Sequence, residues 1–132
     1  MVYRNVSTRK LDMEWSEWHP LTMDDLKQHE ARYSGVYRIA LRDGTIAYPN
    51  GSSPVLFIGE APLRRLCERL QDHLRGWGST GVYERHQNGE ALQWQNYAGG
   101  DLVVTAAAAV EDFILKYGAP PVCNHKAPHH KL

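Results

Sequence analysis

Apolar and polar positions follow two different periods along this chain, and the changes of period mark its elements. Residues 1–20 show no clear period, although Trp15 and Trp18 are suited to pinning this arm onto a domain. Residues 21–29 read as a short helix, with Thr22 as its cap and Asp24 and Asp25 in its first turn. Gly35 to Leu41 is a β-branched and aromatic run and predicts a strand. Arg42-Asp-Gly44 follows as a hairpin signal, so residues 45–48 are expected to return antiparallel, and Pro49 to Pro54 to form a loop. Val55 to Gly59 is apolar without alternation, which predicts a central strand covered on both faces.

The period then lengthens. Pro62 is expected to open a helix whose apolar stripe is Leu63, Leu66, Cys67, Leu70 and Leu74. Arg69 and His73 fall one turn apart on one edge of that stripe. Gly76 to Gly81 ends the helix as a flexible loop, residues 82–91 give no assignable pattern, and Leu92 to Ala98 reads as a third strand. Val103 to Tyr117 is a second long helix, with Val103, Ala107, Val110, Ile114 and Tyr117 expected on its buried face and Glu111 on the shoulder. Gly118 and Pro120-Pro121 stop it. These elements predict an α+β fold: a small, three-stranded, mostly antiparallel sheet flanked by helices.

Composition narrows the partners. A chain of 132 residues suits one domain. Its 15 Lys+Arg balance 15 Asp+Glu, which argues against a broad nucleic-acid footprint. The charge is uneven, however: residues 1–10 carry Arg4, Arg9 and Lys10 with no acid, and the tail from Asn124 carries Lys126, Lys131 and three histidines with none. Two cysteines suggest no disulfide framework. No transmembrane run is present, and Met1 to Leu11 lacks the apolar core of a signal peptide, so a cytoplasmic setting is expected. Cys123, His125, His129 and His130 are zinc-ligand types in close sequence, but their spacing fits no standard site. Trp77, Tyr83 and Trp94 are more readily core or loop anchors than base-stacking platforms beside Arg75 and Arg85.

The ordered set resembles the GIY-YIG nuclease superfamily over residues 34–126. Gly35-Val36-Tyr37 stands for the first signature triplet and Phe57-Ile58-Gly59 for the second. Arg69 and His73 match the polar pair of the first core helix, Arg65 being the rival arginine. Glu111 matches the metal-binding glutamate, and Pro121-x-x-Asn124 the motif that follows that helix. The resemblance implies a domain of residues 34–126 between an N-terminal arm with a short helix (1–33) and a tail (127–132). It implies an endonuclease hydrolysing DNA with one Mg²⁺ or Mn²⁺ held by Glu111. Tyr37 would then serve as base, His73 as relay, Arg69 as phosphate clamp, and Gly35, Phe57, Gly59 and Asn124 as support. Specificity would be loose, structure-directed, or supplied by a partner protein or a homodimer. Phe57 stands where the family has tyrosine, so the alternative is a catalytically degenerate nucleic-acid-binding or protein-interaction module.

Overall fold

The computed structural model describes residues 14–28, 33–62 and 65–124. Leu63, Arg64, the basic N-terminal residues, and His125, His129 and His130 lie outside them.

The fold is α+β, built on a four-stranded antiparallel sheet rather than three strands. Its strands are β1 (His19–Pro20), β2 (Gly35–Leu41), β5 (Val55–Ala61) and β6 (Leu92–Tyr97), in the order β1-β6-β2-β5. The extra strand β1 is two residues of the N-terminal arm, paired through His19 to Trp94. An arm without a period gives no signal for such a short edge strand, because two residues cannot show alternation. The arm belongs to the core as well: Leu21 and Leu26 are buried.

The segment after the Asp-Gly turn does not return against β2. Instead β3 (Ile46–Tyr48) pairs with β4 (Gly51–Ser53) in a separate two-stranded hairpin. Pro49-Asn50 is its turn and Gly51 its positive-φ residue, so the expected loop holds a strand.

β5 is covered on both faces, but it is an edge strand, not a central one. Its outer edge is closed by the short 3₁₀ turn Val122–Asn124. Asn124 Nδ2 donates to the Ile58 carbonyl (2.8 Å), and its Oδ1 accepts from the Ile58 amide (2.9 Å). One side chain thus replaces a missing strand partner.

Among the described residues four helices cover the sheet: α1 (Met23–Gln28), α2 (Leu66–Arg75), α3 (Thr80–Gln87) and α4 (Leu102–Tyr117). One core joins Tyr37, Ile39 and Leu56 to Leu26, Leu66, Leu70, Leu74 and Val82, placing α1, α2 and α3 on one face. The other core joins Val36, Ala40, Val55 and Ile58 to Ala109 and Phe113, placing α4 on the opposite face. Residues 36 and 37 head for different cores because successive strand side chains alternate.

The helices depart from expectation in three places. α2 begins at Leu66, later than Pro62 suggested. α3 occupies the stretch without a pattern; Ser79 caps it by accepting from the Val82 amide, and Val82 is its one buried residue. On α4 the buried face is Ala106, Ala109, Val110, Phe113 and Tyr117, while Val103, Val104 and Leu115 are exposed. The expected stripe is therefore rotated. Apolar residues occur all round Leu-Val-Val-Thr-Ala-Ala-Ala-Ala-Val, so the sequence allows several stripes and the large Phe113 decides. Among the described residues no helix is long and apolar enough to cross a membrane.

Candidate functional site

The two signature strands and α2 meet at Tyr37. β2 and β5 pair so that Tyr37 lies opposite Gly59 and Ile39 opposite Phe57. Glycine is required at Gly59, since a Cβ there would lie 2.9 Å from the Tyr37 hydroxyl and 2.7 Å from the Phe57 ring. Gly35 has a different reason: its φ is +116°, and a Cβ would collide with the Tyr97 carbonyl.

His73, near the C-terminal end of α2, reaches the sheet. Its Nε2 is 2.8 Å from the Tyr37 hydroxyl, and its Nδ1 accepts from the Ser79 amide at 2.9 Å. An Nδ1 that accepts carries no proton, so the neutral ring is protonated at Nε2 and donates to the Tyr37 oxygen. The loop after α2 builds this seat. A Cβ on Gly78 would lie 2.5 Å from His73 Nδ1, so only glycine lets the backbone pass. Ser79 is held in turn by its hydroxyl, which donates to the Cys123 carbonyl.

Burial decides the charge states. Tyr37 is 2% exposed and His73 3%. Desolvation, helped by the nearby Arg69 guanidinium, pulls the His73 pKa down to about 4. At neutral pH the imidazole is uncharged. Desolvation also raises the Tyr37 pKa; Arg69 opposes this, while Asp72 and Glu60 add to it. Tyr37 thus keeps its proton at neutral pH, and a phenol of raised pKa gives it up only to a stronger base, such as an alkoxide leaving phosphorus.

Arg69 is the arginine beside this pair. It is exposed, and its Nη1 donates to the Glu60 carbonyl at 3.3 Å. Arg65, its rival, is engaged with Glu68 in an exposed 2.6 Å ion pair. Phe57 packs its ring 4.7 Å from that of His73 and 5.9 Å from that of Tyr37. Asn124 supports the same strand from outside through Ile58.

Glu111 is not brought to this group. It is exposed on α4, across the sheet from Tyr37, and shares its side of the helix with exposed Val104 and Leu115. Among the described residues no three His, Cys, Asp or Glu side chains converge as a metal-binding group. The helix that carries Glu111 packs on the face of the sheet opposite Tyr37, with Glu111 on its outer side. The rotated stripe of α4 is the physical reason: Glu111 follows Val110, whose face is only partly covered, and one further residue turns by 100° away from the sheet.

Cys123 is buried, against the position a Gly81 Cβ would take. Trp94 is wholly buried and Tyr83 packs against Gly76. Trp77 is different: it is 73% exposed in the loop that seats His73, with the Arg75 guanidinium 5.6 Å from its ring. Ser79 and Gly78 were not apparent from the sequence as site residues. The capping pattern of Ser79 before Thr-Gly-Val was the one signal present. No protein-family model matches the chain, and neither a curated protein nor a solved structure is detectably similar to it.

Proposed function

We propose that the domain binds the phosphodiester backbone of DNA at the Arg69 edge and hydrolyses it, with Tyr37 as proton donor. The observation that carries this reading is the buried Tyr37–His73 hydrogen bond lying beside an exposed arginine. Arg69 has donors to spare for a phosphate oxygen, and an exposed guanidinium can grip two of them at once. Water attacks phosphorus and releases one proton to solvent as the ester P–O bond breaks, and the Tyr37 proton passes to the leaving oxygen. Burial disfavours the phenolate left behind, and the His73 Nε2–H and the Arg69 charge offset part of that cost until solvent returns a proton. Trp77 with Arg75 supplies a surface on which an unpaired base can stack.

A second reading has its own observation. Tyr37 and His73 are nearly covered, and Glu111 faces away, which suits a module of the same kind that binds nucleic acid without cleaving it.

A supercoiled-plasmid nicking assay with Mg²⁺, Mn²⁺ or EDTA separates the two. The parent is expected to nick, Arg69→Ala to be slower by about tenfold or more, and Arg65→Ala to stay close to the parent. Salt-sensitive DNA binding without nicking would favour the second reading. Equal losses in the two arginine variants would remove Arg69 from its role.

A further inference from the structure

A second polar group lies on the opposite face of the sheet, and the Tyr37 chemistry does not use it. Arg38 follows Tyr37 on β2, so its side chain points toward α4. It is half-buried in the floor of a cavity of about 280 Å³, walled by Trp15, Trp18, Asp112, Lys116 and Tyr117. Its guanidinium lies 4.2 Å from the Trp15 ring and 5.6 Å from the Trp18 ring. Nε donates to Gln95 Oε1 at 2.6 Å.

That arrangement occupies one edge and one face of the guanidinium and leaves another edge over. Among the described residues no carboxylate pairs with Arg38, and its two Nη groups have no hydrogen-bond acceptor. Burying a cation without a counter-charge is costly. An arginine that packs its plane on indole while its Nη edge faces a cavity is set to receive a planar or tetrahedral oxyanion in two parallel hydrogen bonds. Lys116 at the wall adds a second positive charge.

The rest of the wall narrows the ligand. Indole and phenol rings favour a flat body beside the anion. Asp112 would repel a bare anion, but it can accept from the amino and ring N–H groups of a base. The volume of about 280 Å³ lies just below the usual range of ligand pockets, about 300–1,000 Å³, which limits the occupant to one such unit. We propose that this cavity binds a nucleoside monophosphate, its phosphate on Arg38 and Lys116 and its base against the tryptophans and Asp112. The unit is either a free mononucleotide or the phosphorylated terminal nucleotide of a strand.

Calorimetric titration of the full chain with guanosine and adenosine monophosphates tests this, beside guanosine, inorganic phosphate and a 5′-phosphorylated oligonucleotide with its unphosphorylated twin. A monophosphate should bind about tenfold or more tighter than its nucleoside or phosphate alone, the scale of one charge-assisted pair. Preference for the phosphorylated oligonucleotide over the free nucleotide would identify a strand terminus as the source, and the reverse a free nucleotide. Arg38→Gln should lose about tenfold. Should that variant not fold, Lys116→Ala and Asp112→Ala, both at the wall, should each weaken binding while leaving the melting temperature near the parent's. Arg65→Ala, which lies outside both sites, should bind as the parent does, and binding of the free monophosphate is read without any cleavage, so failure of the Tyr37 reading leaves this result intact. The proposal is overturned if no monophosphate or phosphorylated oligonucleotide binds, if phosphate alone binds as tightly, or if binding survives the Arg38, Lys116 and Asp112 substitutions.

Discussion

His73 is the residue on which the site's electrostatics turn. In the unfolded chain its proton is bound near pH 6.5, and in the folded protein only near pH 4. Between those values the unfolded state holds more protons, so stability is full above the upper value and declines as the pH falls toward the lower one. From about pH 7.5 to about pH 5 the share lost through His73 should be about 2 kcal/mol. Urea midpoints across that range should show the loss in the parent and a correspondingly shallower slope in His73→Gln. Parallel slopes would mean that the imidazole is not held neutral. Arg69 and His73 could be read from the sequence because a helix puts residues four apart on one side. Gly78 and Ser79 could not, since their purpose depends on how closely the loop passes the imidazole. Glu111 was placed wrongly relative to the core because an alanine-rich helix does not advertise which stripe it buries.

At the scale of elements, β2, α2 and α4 could be recognised where period and stop signals agree, as at Gly118, whose positive φ ends α4. α3 lacked a periodic face, and its single buried residue, Val82, could not supply one. The position of β5 at the edge was hidden for another reason. Its apolar content reflects helices on both faces, while its edge is closed by a single distant side chain. That closure has a testable weight. Asn124→Ala strips both partners from Ile58, and a loss of about 1–3 kcal/mol is expected from chemical denaturation, with faster hydrogen exchange at the Ile58 amide. An unchanged midpoint would show that Asn124 is dispensable to the strand. Asn124→Asp keeps an acceptor for the amide and loses the donor to the carbonyl, so it should rank between the two.

Across the whole molecule, the sheet separates two polar groups of different kind. On the α2 face a neutral Tyr37–His73 pair lies beside Arg69; on the α4 face Arg38 lies in a tryptophan-walled cavity. A net charge of zero therefore does not mean an even surface, and local cations, not the total, would meet a phosphate. The central claim is that Tyr37 gives a proton to the oxygen that leaves phosphorus. It is tested most directly by comparing plasmid DNA with the p-nitrophenyl phosphodiester of thymidine, whose leaving group departs without a proton. Tyr37→Phe should lower DNA cleavage by about 10²–10⁴-fold and leave turnover of the aryl ester near the parent's. Equal losses on both substrates, unchanged DNA cleavage, or no cleavage of either by the parent would contradict it.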